Sequence, residues 1–259
     1  MKFSNLILAL PILTVLFSNT SFAQADSTYW RGWYETPIDV VNLTRWETSD
    51  WWVASGVLVG GVALYTQDEA IRESVQGFRS PTTDNLSKYI AEPFGSGYYS
   101  MGATAIAYGA GWAFKDEKLR RTSLQAAKAY VLTAGATFVL KQLTHRSRPY
   151  ESGRDDLWYG PYALTFENDG FPSGHTSTAF AVASVYAHAY SDRPWLQVGL
   201  YSVAGLTALS RMNDDKHWAS DVFIGAALGW YIGRTIVKTD SQLTIAPSGN
   251  GIYLSWSID

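Results

Sequence analysis

Apolar residues along the chain gather into six stretches that are separated by polar segments. Each stretch is rich in Ala, Gly, Leu and Val and is long enough for a helix. The stretches span 51–65, 97–114, 122–143, 176–191, 196–210 and 219–237. A different pattern follows, because residues 243–245 and 252–256 alternate around the turn-forming segment Pro247–Gly251, which predicts a β-hairpin. The sequence therefore predicts an all-α fold, a helical bundle of about six core helices with a short C-terminal β-hairpin.

The N-terminal residues show the pattern of a secretory signal peptide. Lys2 precedes an apolar run over 6–17, and small residues precede two candidate cleavage points, after Ala23 and after Ala25. A run of about a dozen apolar residues is short for a membrane span, so we expect cleavage rather than an uncleaved anchor. The predicted parts of the chain are a signal peptide at 1–23, an irregular N-terminal arm at 24–50, a helical domain at 51–238 and the hairpin at 239–259.

Composition narrows the class of protein. Hydrophobic residues make up 47% of the 259 residues and charged residues 17%, which excludes a disordered chain. The formal net charge is -3, which argues against a nucleic-acid partner, since such proteins normally have a basic surplus. The chain contains no cysteine, which excludes disulfides and thiolate chemistry.

The sequence leaves two relations to a membrane open. Several apolar stretches are shorter than the ~20 residues that a span needs, and Lys128 and His188 interrupt two of them, which favours a soluble or peripheral bundle. The Trp and Tyr residues that flank the stretches favour a membrane interface. We expect an exported protein of the periplasm or cell envelope, with membrane contact as one option and an integral inner-membrane form as the alternative.

Three short segments concentrate residues that can bind and transfer a phosphoryl group. Each lies at the edge of an apolar stretch. The segments are Lys141–Pro149, Pro172–His175 and Ser210–Asp221. Lys141, Arg148 and Arg211 are cations in an otherwise acidic chain, and both side-chain types bind phosphate oxygens. We therefore expect these three cations to bind phosphate.

The second segment has the features of an anion-binding helix start. Ser173 is a natural N-cap, so the backbone N–H groups of Gly174 and His175 are expected at a helix N-terminus, where anions bind. Gly174 has no side chain and permits close approach of the backbone to a ligand. We expect Ser173 and Gly174 to bind phosphate together with the three cations.

The third segment contains a candidate nucleophile. His217 and Asp221 are four residues apart at the start of the last helix, hence on one face. The carboxylate can hold one ring nitrogen as N–H and leave the other free to attack. His175, from a different helix, can protonate the leaving oxygen as a general acid. The set predicts in-line phosphoryl transfer through a phosphohistidine, with no metal and no other cofactor.

Several other polar residues have structural interpretations. His188 lies within an apolar stretch and is expected to be a packed core histidine. His145 and Arg146 are expected at a solvated helix end, with a substrate contact as the alternative. Asp214 and Asp215 are expected to orient Arg or Lys neighbours, with a carboxylate pair or a metal site as the alternative. The chain has no cluster with zinc-ligand spacing and no P-loop motif.

Together the three segments resemble the signature of the type 2 phosphatidic acid phosphatase superfamily, which includes bacterial class A acid phosphatases, membrane lipid phosphatases and vanadium haloperoxidases. The signature consists of Lys-x6-Arg-Pro, Pro-Ser-Gly-His and Ser-Arg-x5-His-x3-Asp, and all eleven positions match within residues 141–221. The resemblance implies that His217 is the nucleophile, that Asp221 orients it and that His175 is the acid. It also implies a phosphate cradle formed by Lys141, Arg148, Ser173, Gly174 and Arg211.

The resemblance also bears on the membrane question. Family lipid phosphatases usually have six spans, a cytoplasmic N-terminus and an outward-facing site. With a cleaved signal peptide, six spans would place the site in the cytoplasm. This argument favours a soluble protein, or one in which some stretches do not cross the membrane.

The function that the resemblance implies is an exported, metal-independent phosphatase acting on phosphomonoesters or lipid (pyro)phosphates, so the expected partner is a phosphorylated small molecule or a phospholipid. One alternative is a vanadium-dependent haloperoxidase with vanadate as cofactor, but family haloperoxidases are longer than this chain. Another is a non-enzymatic phospholipid-binding envelope protein, which needs no nucleophile. Trp158, Tyr159 and Trp218 favour a lipid headgroup, with core packing as the alternative interpretation.

Overall fold

The structure is a computed structural model, and it describes residues 33, 37–38, 40–161, 164–165, 167–248 and 251–256, with side chains as far as residue 239. The signal peptide predicted at 1–23 and much of the arm predicted at 24–50 lie outside the described residues. Within the arm, Leu43–Arg45 form a short 3-10 helix.

The described residues are mostly helical. Their α-helices are α1 (Thr48–Tyr65), α2 (Asp68–Gly77), α3 (Pro81–Leu86), α4 (Gly97–Ala113), α5 (Glu117–Thr144), α6 (Pro149–Ser152), α7 (Gly174–Ala189), α8 (Pro194–Asn213) and α9 (Ala219–Gln242). A π-helical turn (Ser87–Ala91) and a 3-10 helix (Glu92–Gly95) join α3 to α4. The six apolar stretches coincide with α1, α4, α5, α7, α8 and α9, which confirms the predicted helical class.

Two strands follow the last helix. They are β1 (Leu243–Ser248) and β2 (Gly251–Trp256), which pair antiparallel with Leu243 opposite Trp256. Residues 249–250 between them lie outside the described residues. The C-terminal hairpin as a complete unit, including its turn, therefore stays a prediction, and so do the domain boundaries.

Helix α7 occupies the centre of the bundle, where it packs against α5, α8 and α9. Its contact with α9 is close because α9 presents Gly225, Gly229 and Gly233 to it. A Cβ on Gly229 would lie 2.0 Å from the carbonyl oxygen of Ser177, and one on Gly233 would lie 2.5 Å from that of Ala181. Only glycine fits such a contact, so these positions set the separation between the two helices.

A compact hydrophobic core joins α5, α7 and α9. Its buried members are Ala126, Ala129, Ala181, Val185, Ile232 and Ile236. Four of these are alanine or valine, and such small side chains allow helices to pack closely. The three helices thus form a tightly packed unit that holds the ends of α5, α7 and α9 in fixed positions.

The peripheral helices α1, α4 and α8 expose large apolar side chains. Trp52 on α1, Tyr98 on α4 and Trp195 on α8 are examples. Across the part of the chain that the structure describes, no helix combines the length and the apolarity that a membrane crossing requires.

Candidate active site

The three predicted segments meet at one end of the bundle. The N–H of Ser173 donates to the carbonyl oxygen of Asp221 at 3.0 Å, which joins the second segment to the third. The indole N–H of Trp218 donates to the carbonyl oxygen of Ser147 at 3.0 Å, which joins the third segment to the first. The loop that joins the short helix α6 to α7 reaches this junction through Gly170, whose N–H donates to the carbonyl oxygen of Arg146 at 2.8 Å.

His217 is buried and held in one tautomer. Its Nδ1 lies 2.7 Å from the carbonyl oxygen of Gly170, and because a carbonyl only accepts, Nδ1 has the proton and Nε2 has a free lone pair. Burial lowers the pKa of His217 well below its usual value, and the positive charges of Lys141 and Arg148 lower it further. The ring is therefore a neutral imidazole with an available Nε2.

Asp221 lies behind His217 without a direct hydrogen bond to the ring. Its Oδ2 is 3.8 Å from Nδ1 of His217, whereas the same oxygen accepts the backbone N–H of Trp218 at 2.9 Å. The prediction that Asp221 itself holds the ring nitrogen is therefore wrong, because the carbonyl of Gly170 occupies that position. Burial raises the pKa of Asp221 to about 6, against the opposing effect of Arg146.

His175 lies at the first turn of α7, close to three of the candidate phosphate-binding cations. Its pKa is lowered to about 4, chiefly by burial and also by the charges of Arg211, Arg148 and Lys141, while Glu92 opposes the shift. Without a bound anion, His175 is therefore neutral at neutral pH. A bound anion would offset the repulsion from the cations and raise its pKa.

Arg211 is fixed by two carboxylates. Its Nη2 donates to Asp214 at 2.7 Å and its Nη1 to Glu92 at 3.1 Å. The contact with Asp214 agrees with the prediction that this residue orients a neighbouring cation. Glu92 was not predicted, because it lies in the 3-10 helix far from the three segments and no local pattern marks it.

Lys141 and Arg148 share a carboxylate that the motifs did not indicate. Asp169 Oδ1 accepts from Arg148 Nε at 2.7 Å, and its Oδ2 lies 3.6 Å from Lys141 Nζ, which also donates to the carbonyl oxygen of Asp169. Burial lowers the pKa of Lys141 to about 8, with Asp169 opposing and Arg148 adding to the effect. Asp169 therefore pairs with two of the predicted phosphate-binding cations and offsets one of their two positive charges.

Ser173 stands at the N-cap of α7 as predicted, but its hydroxyl does not cap the helix. The hydroxyl lies 2.9 Å from that of Thr176. Gly174 is the first residue of the helix, and a Cβ there would lie 3.9 Å from Cε of Lys141. The structure thus places the start of α7 beside Lys141 and brings all the predicted site residues to one region.

The region that contains the three segments is similar to known proteins. Residues 123–244 match the family model described as the PAP2 superfamily. The resemblance to the PAP2 superfamily is confirmed. The matched region contains all three segments, whereas Asp68 and Glu92 lie outside it.

A curated relative and two solved structures resemble the chain. A stretch of 67 residues is 48% identical to the lipid A 1-phosphatase of Porphyromonas gingivalis, and the match covers 26% of this chain and 15% of that protein. The fold resembles the crystal structure of Aquifex aeolicus LpxE, with a TM-score of 0.51 and 23% identity over 65% of this chain and 93% of that one. It also resembles the crystal structure of a transmembrane PAP2 type phosphatidylglycerolphosphate phosphatase from Bacillus subtilis. The TM-score is 0.56 and the identity is 19%, over 72% of this chain and 95% of that one.

The prediction of a solvated helix end at 145–146 is wrong. His145 is 1% exposed and Arg146 is 0% exposed. His145 Nδ1 lies 2.9 Å from the carbonyl oxygen of Gly160, and Arg146 Nε donates to the carbonyl oxygen of Asp155 at 3.1 Å. The loop between α6 and α7 therefore covers both side chains through Asp155 and Gly160.

The remaining predicted polar and aromatic residues are also placed. His188 is half-buried on α7, and its Nδ1 donates a hydrogen bond to the carbonyl oxygen of Ser184 in the same helix. Trp218 is buried, which supports core packing, whereas Trp158 and Tyr159 are partly exposed. In the described part of the chain no cluster of His, Asp or Glu has the arrangement of a metal site, and the metal-free reaction stays a prediction.

Proposed function

We propose that the protein is an exported, metal-independent phosphatase that hydrolyses a lipid phosphate through a phosphohistidine on His217. The observation behind the proposal is the state of His217. Its ring is buried, neutral and fixed by Gly170 with Nε2 free, and it interacts with the charges of Lys141 and Arg148. A neutral imidazole among cations is the arrangement that nucleophilic attack on a phosphate requires.

In the first step, Nε2 of His217 forms a bond to phosphorus while the bond to the leaving oxygen breaks. His175 gives its proton to that oxygen. Lys141, Arg148 and Arg211 stabilise the charge on the equatorial oxygens, together with the N-terminus of α7 at Gly174. The phosphorylated ring gains a positive charge, which Asp221 at 3.8 Å stabilises.

In the second step, a water molecule attacks phosphorus and the bond to Nε2 of His217 breaks. His175, now neutral, accepts the proton of the water molecule. The pKa of His175 is about 4 without a bound anion, and the first step requires it to rise when the phosphate dianion binds. The phosphoryl group is still in the site in the second step, so the raised pKa also suits the acceptance of a proton from water.

A lipid substrate is supported by apolar side chains beside the site. Phe94 is 47% exposed and precedes Gly95, at which a Cβ would lie 2.9 Å from Cβ of His175. Leu143 and Tyr150 lie two residues from Lys141 and Arg148, and each is 52% exposed. The names of the similar proteins also refer to phosphorylated lipids.

The proposal is tested by hydrolysis assays on the purified chain in EDTA. The substrates are lipid A, phosphatidylglycerol phosphate, phosphatidic acid and an isoprenyl pyrophosphate in mixed micelles, with p-nitrophenyl phosphate as the small ester. We expect turnover of at least one lipid, a loss of about a thousandfold or more in His217→Ala, and retained turnover in the control His188→Ala.

Each other outcome identifies a different error. Retained turnover in His217→Ala contradicts the nucleophile. Turnover of the small ester alone contradicts the lipid substrate. Lipid binding without turnover indicates a binding protein, and bromide oxidation after vanadate loading indicates a haloperoxidase. Export is tested by sequencing the N-terminus of the protein recovered from the cell envelope, which we expect to begin at Gln24 or Asp26.

A further inference from the structure

A fully buried cluster of charged side chains lies behind His217. The guanidinium of Arg146 lies between two carboxylates, with Nη2 2.8 Å from Asp68 Oδ2 and Nη1 2.5 Å from Asp221 Oδ1. All three side chains are 0% exposed. Charged groups are this deeply buried only when they are paired, so the cluster depends on each of its members.

Each N–H group of the Arg146 guanidinium has a hydrogen-bond acceptor. Besides the two carboxylates, Nη1 donates to Ser220 Oγ at 2.8 Å, and Nε and Nη2 donate to the carbonyl oxygen of Asp155 at 3.1 and 3.0 Å. Ser220 in turn donates its backbone N–H to Asp68 Oδ1 at 2.9 Å. A lysine at this position would have one nitrogen and could not reproduce the fork.

Aromatic rings enclose the same cation. The guanidinium carbon of Arg146 lies 4.7 Å from the ring centroid of Trp158, 5.0 Å from that of Tyr65 and 5.5 Å from that of Trp218. These cation–π contacts stabilise the charge and limit its movement. Hydrogen bonds and aromatic contacts together therefore fix the position of Arg146.

Arg146 is linked to His217 by two routes. Through its side chain it holds Asp221, which accepts the backbone N–H of Trp218, the residue after His217. Through its backbone carbonyl it accepts the N–H of Gly170 at 2.8 Å, and Gly170 holds Nδ1 of His217. A displacement of Arg146 would therefore alter both contacts that orient the candidate nucleophile.

The charges of the cluster also suit the reaction. Two carboxylates around one guanidinium leave one surplus negative charge when both are ionised. Burial raises the pKa of Asp68 and of Asp221, and Arg146 opposes this shift and so favours the ionised state. The surplus charge lies next to His217, which becomes positive when Nε2 bonds to phosphorus.

We propose that Asp68 and Arg146 are positioning residues for the reaction at His217, and that they act by holding Asp221 and Gly170 against the ring. The inference rests on the proposed function. It extends the site to α2, since Asp68 lies outside residues 123–244. Arg146 lies between the motif residues Lys141 and Arg148 and has a different task from both.

The test compares kcat, KM and inhibition by inorganic phosphate in Asp68→Asn, Arg146→Lys and wild type. We expect kcat to fall by about 10- to 100-fold in both variants, because the nucleophile is displaced while the cradle is intact. KM and the inhibition constant stay within about twofold of wild type, as expected for an interaction that acts on the transition state.

The matched control is Asp215→Asn. Asp215 forms a bidentate ion pair with Arg72 at 2.7 Å, which joins the same helix α2 to the segment before α9 but lies outside the cluster. We expect its kcat to stay at the wild-type value. Ser220→Ala removes a single hydroxyl from the cluster and should lower kcat severalfold, and it replaces Asp68→Asn if that variant does not fold.

The outcomes separate the inference from the function on which it rests. A kcat loss of the same size in Asp215→Asn, a rise in KM without a fall in kcat, or unchanged kcat in the cluster variants would overturn the inference alone. No turnover in wild type, or full turnover in His217→Ala, would overturn the proposed function and the inference with it.

Discussion

The inner helices α5, α7 and α9 and the outer helices α1, α4 and α8 are built from similar apolar stretches but use them differently. The inner helices meet through small residues, and Gly229 of α9 lies against the backbone of α7. The outer helices turn large side chains such as Trp52 and Trp195 away from the bundle. Close packing of the inner helices fixes their ends, where the candidate site lies. The outer helices expose apolar side chains, which we expect to contact lipid.

The largest effect is expected at the site end of an inner helix. His175→Ala removes the general acid, so turnover of a lipid phosphate should fall by about 10²- to 10⁴-fold. Turnover of p-nitrophenyl phosphate should fall less, because nitrophenolate leaves without protonation. The measurement is kcat for both substrates.

The control variant is His188→Ala, because His188 lies near the other end of the same helix. We expect it to keep the wild-type turnover of both substrates. An equal loss for both substrates, or a loss in His188→Ala, would contradict the assignment of His175 as the acid and the functional difference between the two ends of α7.

A pair of glycine substitutions tests the packing difference directly. Gly229→Ala on α9 would place a Cβ 2.0 Å from the carbonyl oxygen of Ser177, and we expect it to lower the free energy of unfolding by about 3 kcal/mol. Gly102→Ala on α4 has no atom within 4 Å of the new Cβ and should raise the free energy of unfolding by about 0.5–1 kcal/mol. Urea unfolding measures both, and similar values would contradict the comparison.

The next largest effect is expected on phosphate binding, at the carboxylate of Asp169 between Lys141 and Arg148. Asp169→Asn removes the negative charge that pairs with both Lys141 and Arg148. Inorganic phosphate should then bind about tenfold more tightly, because the cations no longer interact with an internal carboxylate. Calorimetric titration measures the affinity. Weaker binding would show that Asp169 holds the cations in place rather than competing with phosphate.

The pH dependence of the site follows from Lys141. Its pKa is about 8, and the protonated form is the one that binds phosphate, so kcat/KM should fall as pH rises through about 8. In Lys141→Arg the alkaline fall should move to higher pH, because a guanidinium keeps its charge. The pH profiles of both proteins check this, and an unchanged alkaline limb would assign it to another group.

The smallest effect is expected on the outer surface. Trp195 on α8 is 86% exposed, so Trp195→Ser should change the free energy of unfolding by no more than about 0.5 kcal/mol. Turnover of p-nitrophenyl phosphate should be unchanged, while binding to phospholipid vesicles should weaken. Unchanged vesicle binding would contradict a lipid-facing role for this position on α8.

The sequence was sufficient for the helices and for the residues of the three segments, because both depend on local patterns. The apolar stretches predicted six helices, and the motifs predicted His217, His175 and the three cations as site residues. The contacts that orient these residues depend on tertiary structure. Arg146 and Asp68 are 78 residues apart, and no spacing rule joins them.

The same reason explains the errors. Asp221 was expected to hold His217 because the two are four residues apart, but the loop places Gly170 closer to the ring. His145 and Arg146 were expected in solvent because they follow a helix end, yet residues 155–160 fold over them. Asp169 and Glu92 have no motif, and only the structure shows that they contact the cations.

The central claim is that His217 forms a covalent bond to phosphorus, and rapid-quench trapping tests it most directly. The chain is mixed with radiolabelled substrate, quenched in alkali, in which phosphohistidine is stable, and digested for mass spectrometry. We predict a phosphoryl group on the peptide that contains His217, lost in acid and absent from His217→Ala. Turnover without a labelled protein, or a label on another residue, would contradict the account.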